Sequence, residues 1–370
     1  MEASSSVATI REAVIGLLEQ LIAIPSFSRE ESGTADCIEA FLRVHGVACM
    51  RSGNNVWARA VSWRSDRPTV LLNSHHDTVR PVQGWTKDPF QPTREGDMLF
   101  GLGSNDAGGP LVSLIAAFLR LQAETDLPVN LLLAATAEEE ISGAHGIAAL
   151  LPQLGHIDYA IVGEPTRMQM AVAEKGLMVV DAEAKGVAGH AAREEGVNAI
   201  YLAMDAIQTI RNLQPEQVSP LLGKVKMSVT QIEAGKQHNV VPDSCRFVID
   251  IRTNELYQNE AFFKWLQQQV KVTLTPRSFR LNSSRIAMDH PLVQSGLALG
   301  LEAFGSPTLS DQALMPFPSL KIGCGDSARS HTADEYIRLS EIADGIQTYI
   351  QLIRGIAPPS GYFRPITTSA

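Results

Sequence analysis

The stretch Thr69-Val70-Leu71-Leu72-Asn73-Ser74-His75-His76-Asp77 opens as an apolar run and closes on two histidines and an aspartate. An apolar run of this kind, without polar alternation, reads as a strand covered on both faces, the habit of parallel sheets with helices above and below. Residues 129–135 and 157–163 repeat the pattern, and apolar residues at helical spacing fill 110–122 and 143–151. Strands alternating with helices predict an α/β fold with a mixed, largely parallel sheet flanked by helices. Nearer the start, 10–24 and 35–45 read as amphipathic helices stopped by Pro25 and Gly46, and 56–61 reads as another strand.

After Thr166 the pattern changes. Residues 178–184 alternate, Val197, Ile200, Met204, Ile207 and Ile210 form a helical stripe, and Val225, Met227 and Val229 alternate again. Cys245, Phe247, Ile249 and Ile251 share one strand face, 261–270 is helical, and 272–275 is a last strand. The order βαββαβ is that of a ferredoxin-like unit. Helix and strand alternation resumes from about Arg280, through 291–304 and 340–353. The chain is therefore expected to hold one α/β domain, 1–168 and 281–370, interrupted by a smaller ferredoxin-like domain at 169–280. A sheet edge or helix face of the insert would suit pairing with a second copy. The tail from Pro358 is expected to be poorly ordered.

Composition narrows the function. A chain of 370 residues is long enough for more than one core. Its 31 basic and 40 acidic residues leave a net charge of −9, and no stretch concentrates Lys and Arg enough to neutralise a phosphate backbone, so nucleic acid is excluded as a partner. No apolar run approaches a bilayer span, and the opening Met1-Glu2-Ala3-Ser4 lacks a basic lead into an apolar core, so neither a membrane nor export is expected. Cys37, Cys49, Cys245 and Cys324 have no Cys-x-x-C spacing, which fits a reducing cytoplasm.

Polar clusters recur where buried strands end. Side chains two apart on an extended chain point the same way, so His75 and Asp77 can face one spot, with Asp77 orienting the imidazole. Asp106 ends Gly101-Leu102-Gly103-Ser104-Asn105-Asp106 just ahead of an apolar helix, and taken alone it could simply cap that helix. Glu138-Glu139-Glu140 follows the strand at 129–135, Glu164 follows the strand at 157–163, and His331 lies in Ser330-His331-Thr332-Ala333-Asp334-Glu335. Carboxyl ends of strands are where open α/β sheets bind ligands, and clustered carboxylates repel one another unless cations neutralise them. His75, Asp106, Glu140, Glu164 and His331 together suit zinc, less selectively cobalt or manganese, and do not suit calcium. Five groups are too many for one catalytic zinc but serve two if one carboxylate bridges.

The succession His-x-Asp at 75–77, Gly-x-Gly-Ser-x-Asp at 101–106, Glu139-Glu140, Gly163-Glu164-Pro165-Thr166, Gly189-His190-Ala191 and a late His331 resembles the M20 family of metallohydrolases. It is most similar to the acetylornithine deacetylase and succinyl-diaminopimelate desuccinylase branch, over nearly the whole chain. The resemblance implies two Zn2+, replaceable by Co2+ or Mn2+: His75, Asp106 and Glu164 on one, Asp106, Glu140 and His331 on the other. It implies that Glu139 is the general base, that Asp77 orients His75, and that the insert is a lid and dimerisation domain. His190 would stabilise the tetrahedral intermediate, commonly in the partner subunit's site, while Asn239 and Arg252 would bind substrate. The implied reaction removes an acetyl or succinyl group from an amino acid such as ornithine or citrulline, as in arginine biosynthesis. The alternatives are a dipeptidase or carboxypeptidase, or a succinyl-diaminopimelate desuccinylase; a non-catalytic scaffold has no physical reason to keep such a costly carboxylate cluster. Leu102, Ala107-Gly108 and Arg80 depart from common family residues beside the site and bear on substrate rather than reaction.

Overall fold

The computed structural model describes residues 2–357, so the tail from Pro358 lies outside the described residues. The chain forms two compact units. One comprises the residues through Val172, Ile286–Phe304 and those from Ser310 onward; the other comprises Ala173–Arg285 and Gly305–Leu309.

The first unit is built on a mixed sheet. From one edge its strands run Cys49–Ser52, Asn55–Arg59, Asn130–Thr136, Thr69–His75, Tyr159–Val162, Ser319–Lys321 and Met170–Glu174. The pairings joining the four strands from Asn130–Thr136 to Ser319–Lys321 are parallel, and those outside them are antiparallel. Thr69–His75 and Asn130–Thr136 are buried along their whole length, as strands covered on both faces must be. Leu71, Leu132 and Ala160 pack under helix Ile147–Leu154, while their chain neighbours turn to the opposite face by strand alternation. There the nearly all-apolar helix Gly109–Leu121 lies so close that a Cβ at Gly163 would stand 2.7 Å from Leu114 Cδ1 and 3.1 Å from Ser74 Cβ. Only glycine lets helix and strand approach there.

Three details differ from expectation. Met170–Glu174 and Ser319–Lys321 are strands of the main sheet, although each is too short to display a period in the sequence. The helix expected at 143–151 runs instead over Ile147–Leu154, through Pro152. Glu138 explains the delay: its carbonyl accepts from the Gly143 amide at 2.7 Å and its carboxylate from the His145 amide at 3.2 Å, holding this segment as a loop.

In the second unit, Met178–Lys185, Lys226–Ala234, Ser244–Arg252 and Thr273–Pro276 form a four-stranded antiparallel sheet, with helices Ala199–Asn212 and Asn259–Gln269 in the intervals. This is the βαββαβ ferredoxin-like order. Alternate residues of Met178–Lys185 and Ser244–Arg252 are buried, and Val180, Phe247, Ile249, Phe262 and Leu266 meet in one core. Phe247 is 2% exposed in that core. Phe247→Ala should therefore destabilise this unit by about 3–5 kcal/mol, the usual cost of emptying a buried aromatic site. Urea unfolding followed by circular dichroism checks this, and a loss below about 1 kcal/mol would mean that the core refills the space.

Candidate metal centre

His75 ends strand Thr69–His75, Glu139 and Glu140 follow strand Asn130–Thr136, Glu164 follows Tyr159–Val162, and His331 lies downstream of Ser319–Lys321. Four neighbouring parallel strands thus deliver their following residues to one end of the sheet. His75 Nε2 faces Asp106 Oδ1 at 3.3 Å, Glu164 Oε1 at 3.7 Å and Glu139 Oε2 at 3.8 Å. His331 Nε2 lies 3.1 Å from Glu140 Oε2 and 3.7 Å from Asp106 Oδ2. Donor atoms of His75, Asp106 and Glu140 fall within 4.8 Å of one another, as do those of His75, Glu139 and Glu164. All five residues expected as ligands come together, with Glu139 among them.

Does this donor set fit a metal pair? His75 is buried, and its Nε2 has no hydrogen-bond partner among the described residues although carboxylate oxygens surround it. An orphaned ring nitrogen amid carboxylates, with oxygen and nitrogen donors and no sulfur, fits divalent zinc, cobalt or manganese.

Buried carboxylates behind the centre hold its loops. Asp77 is fully buried and accepts from the Glu139 amide at 3.0 Å, the Glu140 amide at 3.2 Å and the Ser28 hydroxyl at 2.7 Å. His75 Nδ1 sits 3.0 Å from the Asp77 carbonyl and 3.4 Å from its carboxylate, so the backbone is the nearer orienting group. Glu31, also buried, accepts from the Glu138 amide at 3.2 Å. Glu138 and His331 both have φ of 57°, the left-handed region in which non-glycine residues cluster at functional sites.

Electrostatics follow from crowding in a dry place. Burial lifts Glu139 well above the ordinary glutamate range, with Glu164, Asp311 and Glu140 adding to it and His75 opposing. Burial likewise raises Glu164 to about 8, with Asp106 and Glu140 adding. Burial disfavours the charged form of His75, yet Glu139, Asp106, Asp77 and Glu164 keep it protonated well above the ordinary imidazole range. The hydrogen bond to Glu140 lifts His331 to about 9. Asp106 is opposed by burial but held below its ordinary value by His75.

The remaining expected site residues lie in the second unit. Gly189–His190 pairs with Val240–Val241, and the Ala191 amide donates to the Asn239 carbonyl at 3.0 Å, so His190 and Asn239 are neighbours in one short ladder. Arg252 is engaged bidentately by Asp250 at 2.9 and 3.1 Å.

Two acidic residues stand out only in three dimensions. Glu335 is 2% exposed and accepts from backbone amides of the loop ending at Asp106. Asp311 is buried and accepts from Asn73 and Thr136 at 2.9 Å each, beneath two of the strands that bring ligands. Glu335 falls within the stretch around His331, but nothing in the sequence distinguishes it from a surface acid; for Asp311 there is no signal at all.

These shifts fix a pH dependence. In the fold Glu164 keeps its proton up to about 8 against an ordinary 4.5, and His331 up to about 9 against 6.5. Between those values the native state binds more protons than the unfolded chain, so the stability involved is complete below the ordinary pKa and is lost as pH rises to the folded one. Metal-free protein should therefore lose stability as pH climbs from about 5 to about 9. Metal ions would replace those protons, so the gain in Tm on adding Zn2+ should grow over the same interval. Thermal melts with chelator and with metal read both trends, and a metal-free Tm rising across this range would contradict the assignment.

Residues 71–355 match the peptidase family M20/M25/M40. A succinyl-diaminopimelate desuccinylase of Delftia acidovorans is 28% identical over 280 residues, 70% of this chain and 72% of that protein. The crystal structure of aminopeptidase PepT from Bacillus cereus superposes with a TM-score of 0.76 at 17% identity, covering 94% of this chain and 98% of that one. The YXEP protein of Bacillus subtilis, described as a dinuclear metal binding peptidase of the M20 family, gives 0.72 at 16% identity, covering 94% and 98%. These two likenesses bear on the fold. With a family match spanning most of its length, this chain belongs to the peptidase family M20/M25/M40.

Proposed function

We propose that the chain is a two-metal amidohydrolase that removes an acyl group from the nitrogen of an amino acid, with a succinyl group favoured over an acetyl group. The observation carrying the reading is the orphaned His75 Nε2 facing Asp106, Glu164 and Glu139. His75, Asp106 and Glu164 would hold one Zn2+, and Asp106, Glu140 and His331 the other, with Co2+ or Mn2+ as substitutes. A bound pair supplies a lowered water pKa and polarises the amide carbonyl.

The chain's own residues do the rest. Glu139 receives a proton at its carboxylate and passes it to the leaving amine, the work of a general base placed beside the reacting atoms. Asp77 keeps Glu139 and Glu140 in place through their amides. His190 donates to the oxyanion, and Asn239 beside it meets polar atoms of the substrate. Arg252 is assigned the α-carboxylate, for which it must exchange its Asp250 partner.

The acyl group is argued from cations and relatives. A succinyl group carries a carboxylate that needs a positive partner. Arg329 is held bidentately by Glu341 at 2.7 and 2.9 Å, and Arg80 lies over the Phe27 ring beside Glu30. Lys175 donates to the Lys224 carbonyl at 3.1 Å. Arg193 is 67% exposed, with Glu195 only at 3.9 Å, and its amide donates to the His190 carbonyl; it is the better candidate. The desuccinylase relatives, including one from Cereibacter sphaeroides 25% identical over 92% of this chain and 98% of that protein, favour succinyl-diaminopimelate over acetylated ornithine or citrulline.

Assembly is proposed as a homodimer through the second unit, where Lys226–Ala234 is an edge strand among the described residues and Tyr201, Met204 and Ile232 are exposed. Four free cysteines suit a cytoplasmic setting. No helix among the described residues is long and apolar enough to cross a membrane.

A panel of N-succinyl and N-acetyl amino acids and dipeptides at matched metal loading tests the substrate; fastest turnover of a dipeptide would replace this reading with a peptidase. Glu139→Ala should keep its metal and lose about 10²–10⁴-fold in kcat, whereas an unchanged kcat removes Glu139 from proton transfer. Arg193→Ala should lower kcat/KM on succinyl substrates by about 10–100-fold, the loss of one charge-assisted bond, and leave acetyl substrates unaffected. Mixing inactive His190→Ala and Glu139→Ala proteins should restore part of the activity by subunit exchange. A fully active monomer in sedimentation would rule out action of His190 across subunits.

A further inference from the structure

We propose that Glu335 is a positioning residue that fixes the loop presenting Asp106 and so governs how tightly the metal pair is held. The inference rests on the two-metal reading above. One oxygen of its buried carboxylate accepts from the Asn105 and Asp106 amides, both at 2.9 Å, and the other from the Gly103 amide at 3.2 Å. The Glu335 carbonyl also accepts from the Gly101 amide at 3.0 Å. Gly103 has a φ of 74°, and with it the loop turns its amides inward onto one carboxyl group, a concave arrangement of successive amides. Asp106, whose amide is one of these donors, has its carboxylate oxygens between His75 and His331.

The same carboxylate belongs to the segment that carries His331. Between the two, Asp334 accepts from the Thr86 and Lys87 amides at 2.9 and 3.1 Å and from the Thr86 hydroxyl at 2.7 Å. The segment is therefore tied down at both acids while His331 looks into the centre. Glu335 fastens the Asp106 loop to the His331 segment, so the residue proposed to bridge both ions and a ligand of one of them are set by a single side chain. Without it three amides lose their partner, and the loop is free to turn Asp106 away. Outer partners of metal ligands typically tune affinity by about 10–100-fold.

Co2+ binding tests this, because its visible absorption reports ligand geometry independently of turnover. Wild-type protein should take up two Co2+. Glu335→Gln, with wild-type far-ultraviolet circular dichroism, should bind Co2+ about 10–100-fold more weakly and with shifted absorption bands. Equal affinity and an identical spectrum would overturn the inference while leaving the metal centre standing, whereas a wild type that takes up no Co2+ overturns both. A second measurement needs no variant: in chelator-treated wild type, the amides of Gly103, Asn105 and Asp106 should exchange slowly with deuterium. Rapid exchange there would mean that Glu335 does not hold the loop, and would overturn the inference even if Glu335→Gln fails to fold.

Discussion

Carboxylates crowded into a dry crevice are the constraint on which this molecule turns. Glu139, Glu140, Glu164 and Asp106 are brought around His75 at the carboxyl end of a buried parallel sheet, where neither water nor distance relieves their repulsion. Burial first, and the neighbouring carboxylates after it, push Glu139 and Glu164 above their ordinary range. Such a cluster is held by covering it with cations or protons, which is why its protonation, its metal affinity and the stability of the unit belong to one linked equilibrium.

Holding the cluster together requires loops that do not relax, and the same device recurs three times. Asp77 accepts from the Glu139 and Glu140 amides, Glu31 from the Glu138 amide, and Glu335 from the amides of Gly103, Asn105 and Asp106. In each case a buried carboxyl group accepts from backbone N–H groups and immobilises a loop bearing a site residue. Among the acids around the site, one set, Asp106, Glu139, Glu140 and Glu164, turns to the centre, whereas a second, Asp77, Glu31 and Glu335, turns to the backbone behind it. Substitution in the second set acts on the first without touching it.

The ferredoxin-like unit follows a different logic. One face of its sheet is apolar and packed under two helices, while the other carries Asp181, Glu183, Arg246 and Asp250, several joined in surface ion pairs. Such pairs contribute little to stability, that between Arg252 and Asp250 among them. Lys226–Ala234 lies at the edge of this sheet among the described residues, and loops such as the one bearing His190 lie outside the core.

Patterning determined much of this in advance. The short apolar runs ending in His75 and before Glu138 read as strands covered on both sides, since they are too short for a helix and show no polar alternation. The alternating faces of Met178–Lys185 and Ser244–Arg252 likewise specified a sheet with one exposed side. Ligand candidates were legible because histidines and acids recur at the ends of several buried strands, where open α/β sheets bind ligands, although each alone has a harmless explanation. What the sequence left undecided depends on contacts between residues far apart in the chain. Glu335 meets Asp106 across 229 positions and Asp311 meets Asn73 across 238, and neither pairing leaves a local period to read. The strands Met170–Glu174 and Ser319–Lys321 were silent because a few residues cannot display periodicity, and they exist only because the sheet offers them hydrogen bonds. Local pattern chose the elements and the kinds of chemistry; the folded chain alone decided which acids face the centre and which face the backbone, because burial and hydrogen bonding are properties of neighbours in space.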